Sequence, residues 1–394
     1  MSKPPPPPAL ALAGLLSLAV AMGIGRFAFT PLLPLMAREG QLDLALGGWI
    51  AAANYAGYFA GALTAARLPL APRTLGALAL ALTAATTAAM AWPDAAAWMA
   101  LRFLAGAASA WVFVATSVWC LGALARQGRG DLGGIVYAGV GCGIALTGVY
   151  CLLAAAWSLP ASTLWIHLGA LSLLLALPAV GTSLRVANVQ APRRANAVPL
   201  RAPGGTHGLV ACYGLMGFGY ILPATFLPAL ARGVVDDPRL FGLAWPVFGA
   251  TAALSTVLAG WWMRRASRLQ AWAASQLLMG VGVLLPSLWV NGATIALSAL
   301  LVGGTFMVIT LAGVQEMRSR APDDAVRWVG RITAAFALGQ IAGPVLSALL
   351  LQTPVFASRG LALALQAAAL ALLASGAWLW RRASPTTSQE TVHA

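Results

Sequence analysis

Residues 22–38 read MGIGRFAFTPLLPLMAR, and residues 216–232 read MGFGYILPATFLPALAR. At a constant offset of 194 the two stretches share Met, two Gly, Leu, Pro, Ala and Arg. Gly139-x-x-x-Gly143 recurs as Gly339-x-x-x-Gly343, at an offset of 200. Repetition on this scale, split by a polar central stretch, marks a chain built of two related halves, as alternating-access carriers are.

Composition sets the class of chain in which this repeat lies. The 394 residues are 60% hydrophobic and 9% charged, with a mean hydropathy of +0.81. Soluble domains carry roughly 25% charged residues, so an ordinary soluble enzyme is excluded. Disorder, which needs low hydrophobicity, is excluded with it. The short alternating segments of a membrane β-barrel are absent. Ala- and Leu-rich blocks long enough for single crossings, about 20 residues each, predict an all-α polytopic membrane protein with twelve transmembrane helices in two pseudo-symmetric six-helix bundles. The predicted spans are 9–36, 44–66, 74–92, 96–124, 132–156, 160–181, 208–231, 240–263, 269–290, 293–316, 328–351 and 360–380. The segment that follows Lys3 is too long for a cleaved leader and is expected to be retained as the first helix. The expected organisation is a Pro-rich cytoplasmic N-terminus (1–8), an N-terminal bundle (9–181), a cytoplasmic linker (182–207), a C-terminal bundle (208–382) and a cytoplasmic tail (383–394).

Lys and Arg number 24 against 10 acidic residues, a net charge of +14. In a soluble protein that excess would suggest nucleic acid. Here the charges fall in the breaks between apolar blocks, where they orient membrane proteins, and no nucleic-acid partner is expected. With both termini inside, Arg67, Arg73, Arg126, Arg129, Arg185, Arg193, Arg194, Arg201, Arg264, Arg265 and Arg268 all face the cytoplasm. Only Arg38, Arg232, Arg239 and Arg359 face outward. The implied location is the cytoplasmic (inner) membrane, multi-pass, with the lipid bilayer as partner and a monomer as the expected state. Cys120, Cys142, Cys151 and Cys212 form no C-x-x-C pair and the three histidines are scattered, so no disulfide, metal or cofactor is expected.

Two arginines lie inside apolar blocks: Arg26 near the middle of the first span and Arg102 in the outer third of the fourth. An arginine at a helix centre costs about 2.5–3.5 kcal/mol on insertion scales. Such a residue either binds backbone carbonyls or reaches the interface, or it faces a cavity and a ligand. No carboxylate lies within a span to pair with either; Glu316 sits at an inner helix end. An anionic substrate would supply the counter-charge through a bidentate arginine–carboxylate contact. Helical spacing places Arg26 with Gly23, Thr30 and Pro34, Arg102 with Gly106 and Ser109, and Asn54 with Gly57, Tyr58 and Gly61. The repeat sets Tyr220 opposite Arg26. The candidate substrate-binding residues are therefore Arg26, Thr30, Asn54, Tyr58, Arg102 and Tyr220. The glycine stripes also suit close helix packing. His167 is expected to be structural, so proton coupling has no evident carrier: it would run through protonation of the substrate, through Glu316, or not occur.

Twelve spans, a six-plus-six repeat and a basic central loop together resemble the major facilitator superfamily. GIGRFAFTPLLPLM at 23–36, followed by ANYAGYFAGA at 53–62, is similar to its YbfB/YjiJ-type branch, and RFLAG at 102–106 resembles the superfamily's fourth-helix arginine motif. The resemblance implies two bundles rocking about a central site lined by helices 1, 4, 7 and 10. Two features depart from the pattern. Ala65 and Ala66 replace the acidic and basic pair of the loop 2–3 signature, and Ile144 follows Gly143 where an antiporter motif would have proline. The expected function is secondary active transport of a small organic anion by alternating access. The alternative is export of amphiphilic or drug-like compounds; a non-transporting membrane sensor and an integral-membrane enzyme are more remote.

Overall fold

The computed structural model describes residues 4–186, 205–232, 243–265, 267–353, 355 and 359–383. Most of the expected linker, the tail beyond Ala383, Lys3, Asp236, Asp237 and Arg239 lie outside them. The first crossing is made of α1 (Pro7–Leu18), a π-helical turn (Ala19–Ile24) and α2 (Phe29–Arg38). The rest of the first half is α3 (Leu44–Thr64), α4 (Pro72–Ala89), α5 (Ala95–Arg126), α6 (Gly133–Ala156) and α7 (Ala161–Leu184). The second half is α8 (Thr206–Arg232), α9 (Ala244–Trp262), α10 (Arg268–Leu288), α11 (Gly292–Arg320), α12 (Ala325–Gln352) and α13 (Gly360–Ala383).

Among the described residues, nine stretches are long and apolar enough to cross a membrane. The remaining helices, α3, α4 and α9, have 21, 18 and 19 residues. Each runs beside a longer neighbour, α3 and α4 against α5 and α9 against α6. Loop carboxylates begin several helices: Asp43 accepts from Leu46 N–H at 2.7 Å, Asp94 from Ala97 N–H at 2.8 Å, and Glu39 from Ala161 N–H at 2.9 Å. Each satisfies a donor that the first turn of a helix leaves free. Trp92 and Trp289 stand exposed at helix ends.

The repeat is visible in packing. Gly139 and Gly143 of α6 lie against Leu15, Ala19 and Gly23 of the first crossing, and Gly339 and Gly343 of α12 lie against Gly214, Phe218 and Ile221 of α8. Small residues allow this approach. The halves meet along two seams, α6 with α9 and α3 with α12. On the first seam Gly134, Gly141 and Gly148, seven residues apart and thus on one face, meet Gly260, Gly249 with Ala253, and Pro246.

One boundary shifts by two residues and one expectation needs correction. The first helix begins at Pro7 rather than Ala9: Pro6 is extended (φ −68°, ψ 154°), and proline suits a first helical position because its missing N–H has no partner there anyway. Nor is that crossing a continuous α-helix, so the regular spacing of Gly23, Arg26, Thr30 and Pro34 along one face does not hold. Gly25 N–H reaches back five residues to the Val20 carbonyl (2.8 Å) and Phe27 N–H to Met22 (3.1 Å). Pro31 offers no N–H to Phe27, whose carbonyl accepts from Thr30 N–H at 3.2 Å instead. That tightening leaves the carbonyls of Gly25 and Arg26 outside the helical ladder.

Candidate functional site

In a bilayer the two freed carbonyls must find donors, and Arg102 supplies both. Its Nη1 donates to Gly25 O and its Nη2 to Arg26 O, each at 2.6 Å, while its guanidinium lies 5.3 Å from the Phe29 ring centre. Arg102 is itself 3% exposed. Asn54 Nδ2 donates to the Arg102 carbonyl at 2.9 Å, which ties α3 to α5. The helices touch there because a methyl group on Gly57 or Gly106 would overlap the Phe103 or Asn54 carbonyl. One helical turn beyond Asn54, Tyr58 occupies the same face of α3.

Arg26, 2% exposed, projects from the break toward the second half. Its Nη2 donates to Gln340 Oε1 of α12, so one hydrogen bond joins the halves at the centre. The guanidinium carbon lies 3.8 Å from the Tyr58 ring centre, with Phe27, Tyr55 and Phe336 rings at 5.4, 5.7 and 5.9 Å. Its Nε and Nη1 have no hydrogen-bond partner, and neither does Gln340 Nε2, Asn54 Oδ1 or the Tyr220 hydroxyl. Among the described residues the ion pairs are Arg129–Asp131, Arg320–Glu316 and Arg327–Asp324. None involves Arg26 or Arg102. Unpartnered buried donors on a guanidinium are costly.

A cavity of about 20 Å³ lies beside this cluster, lined by Tyr58, Phe113, Tyr213, Tyr220, Phe306, Phe336 and Thr333 among others. That is room for about one water molecule. Above it the rings form a ladder. Phe336 and Tyr220 are 6.1 Å apart at 30°, Tyr220 and Phe306 4.9 Å at 22°, Phe306 and Phe248 5.3 Å at 19°, and Phe248 and Trp245 5.6 Å at 7°. Trp245 meets Phe27 edge-on at 6.3 Å, returning the series to the neighbour of Arg26. Trp245 Nε1 has no partner.

A second opening, about 1040 Å³, lies at the arginine-rich end of the bundle, where Gln127 Nε2 donates to Pro5 O. Arg67, Arg73, Arg126, Arg318 and Arg327 line it together with Asp323 and Asp324. Helix α5 borders both spaces, with Phe113 on the cavity and Val114 and Val118 on the cleft.

Arg26, Tyr58, Asn54 and Arg102 thus form one connected group, and Tyr220 joins it through Phe336. Thr30 is half-buried and its N–H is engaged with Phe27; it does not line the central cavity. His167 lies apart and exposed, 2.5 Å from the Tyr150 hydroxyl. Sequence reading missed Gln340, whose signal was a lone amide inside the Gly339–Pro344 motif. It also missed Phe248, Phe306 and Phe336, which carry no signal until four helices bring the rings together.

No curated protein matches the chain in sequence. In fold it is similar to the human organic anion transporter MFSD10 (TETRAN), with a TM-score of 0.71 at 16% identity over 95% of this chain and 100% of that one. The profile of the family described as "Uncharacterised MFS-type transporter YbfB" matches residues 18–378. With twelve helical crossings among the described residues, α1 and α2 making one, in two pseudo-symmetric bundles, and that match across nearly its whole length, the chain belongs to the YbfB-type transporters of the major facilitator superfamily: a multi-pass membrane secondary transporter, not an enzyme.

Proposed function

We propose that this transporter carries a small organic anion across the inner membrane by alternating access, with Arg26 as the charge anchor. The observation that carries the reading is a buried guanidinium with two unpartnered nitrogens and no carboxylate beside it. A carboxylate that took Nη2 from Gln340 could bridge it to Nε or to Nη1, in the two-pronged geometry that arginine favours. Tyr58 and Tyr220 flank that position, and Thr30 stands where α2 resumes. In this reading Arg102 and Asn54 are positioning residues, acting on substrate through the backbone of Arg26 and the placement of α3. The two termini and the wide arginine-lined cleft face the cytoplasm, in keeping with the excess of basic residues there. The two halves, 9–181 and 208–382, move as units within a monomer.

A space of about 20 Å³ admits no organic anion, so substrate enters only when the halves part and Arg26 leaves Gln340. Exchange of one acceptor for another couples binding to opening. Should a proton travel with the anion, its carrier is the substrate or Glu316, which pairs with Arg320 at 2.7 Å. The aromatic cavity walls favour one rival, export of cationic amphiphiles. Thermal-shift and counterflow measurements on purified protein, with carboxylates and cationic dyes, separate the two. The anion reading expects carboxylates to stabilise the wild type and not Arg26→Gln. Dyes acting equally on both proteins, with carboxylates inert, would overturn it.

A further inference from the structure

We propose that the anion taken by this site is a planar aromatic monocarboxylate, a proposal that rests on the anion reading above and deepens it. Its charge follows from how the two buried arginines are used. Arg102 spends both terminal nitrogens on the Gly25 and Arg26 carbonyls, so its charge is already solvated by backbone dipoles. Arg102 keeps only its Nε unpartnered, whereas Arg26 keeps two nitrogens, Nε and Nη1, and gives its third only to the neutral Gln340 amide. One carboxylate, displacing Gln340 from Nη2 and bridging to a neighbouring nitrogen, supplies the counter-charge. A second carboxylate on the same molecule would meet only the neutral Gln340 amide and the Tyr220 hydroxyl, and a buried charge without a counter-charge is strongly disfavoured.

Its body follows from the surfaces next to that anchor. Phe336 lies beside the Arg26 guanidinium and opens the ladder that continues through Tyr220 and Phe306. The ladder returns to Arg26 through Trp245 and Phe27. A series of near-parallel rings accepts a further flat ring in offset stacking, whereas a puckered ring of equal size gains only its burial. Tyr220 is fully buried in that stack with a free hydroxyl, giving the far edge of such a ligand one neutral polar contact. The orientation is therefore fixed: carboxylate on Arg26, ring against Tyr220 and Phe336.

The test is titration calorimetry and proteoliposome counterflow with the full chain. Four probes are used: benzoate, cyclohexanecarboxylate, terephthalate and benzamide. Benzoate is expected to bind about fivefold more tightly than cyclohexanecarboxylate, the difference between a stacking and a non-stacking ring. It is expected to bind at least about tenfold more tightly than terephthalate or benzamide, which carry one charge too many or none. Tyr220→Leu and Phe306→Leu should each bring the benzoate-to-cyclohexanecarboxylate ratio toward one. That ratio is internal to each variant, so a general loss of folding does not imitate it. Equal binding of the two rings in the wild type, tighter terephthalate, or a ratio unchanged in both variants overturns the aromatic monoanion while leaving an anion transporter. Benzamide binding as tightly as benzoate, or no carboxylate binding at all, overturns both readings.

Discussion

Arg102 holds the backbone of Arg26: its two terminal nitrogens bridge the carbonyls of Gly25 and Arg26, each at 2.6 Å, across a break in the first crossing. One buried arginine thereby fixes the site from which the other projects. Removing Arg102 strands two carbonyls in a water-free interior, at about 1–3 kcal/mol each. Arg102→Met should lower stability by roughly 2–5 kcal/mol. Arg102→Lys should recover only part of this, because an ammonium lacks the planar fork that reaches two acceptors. Thermal unfolding in detergent or nanodiscs measures both; a Lys variant as stable as the wild type would contradict a two-carbonyl role.

Arg26 should behave in the opposite way. It carries a buried charge against one neutral hydrogen bond, so its native environment compensates it poorly. Arg26→Gln is expected to lie within about 1 kcal/mol of the wild type or above it in stability, and to lose carboxylate binding. Stability kept while binding disappears is the pattern of a group retained for a ligand. A fall as large as that of Arg102→Met would make Arg26 a structural residue.

The two arginines were equally visible in the sequence, because any charge stands out against Ala- and Leu-rich blocks. Their division of labour was not. It depends on Pro31 withholding an N–H, on Thr30 taking the Phe27 carbonyl in its place, and on a π-helical turn; a regular α-helical period, assumed over residues 22–38, hides all three. The halves were legible because Gly139–Gly143 and Gly339–Gly343 repeat, and their packing against the first crossing and α8 bears that symmetry out. Gln340 was legible in principle as the one amide of an otherwise apolar motif. The ring ladder was not, since Tyr220, Phe248, Phe306 and Phe336 come from four helices and acquire their relation only on packing.

Gln340 is the acceptor that a substrate carboxylate would replace. Gln340→Glu places a permanent anion on α12 beside Arg26, joining the halves by a charge-assisted bond. The variant should unfold at a higher temperature than the wild type and bind external carboxylates at least about tenfold more weakly, since the anchor is already occupied. Gln340→Leu removes the one hydrogen bond of Arg26 and should weaken the closed arrangement by about 1–2 kcal/mol. Carboxylate titration of the two variants is decisive: undiminished binding in Gln340→Glu would place the substrate elsewhere.

The α6–α9 seam tests whether the halves must stay in close contact. A side chain at Gly141 would overlap Gly249 O and Ala253 N of α9, and those are backbone atoms that cannot rotate away. Gly141→Leu should therefore separate the halves or destabilise the bundle by about 1–3 kcal/mol, with transport lost in either case. Gly181 near the end of α7 is the control, because nothing lies within 4 Å of a methyl group there. In a helix interior alanine exceeds glycine by about 0.8–1.0 kcal/mol, so Gly181→Ala should raise stability and leave counterflow unchanged. Gly141→Ala, with one carbon to accommodate, should fall between them in transport rate. Were all three variants to transport alike, the seam would have slack that its backbone contacts do not show, and its seven-residue glycine spacing would reflect only the requirements of helix association.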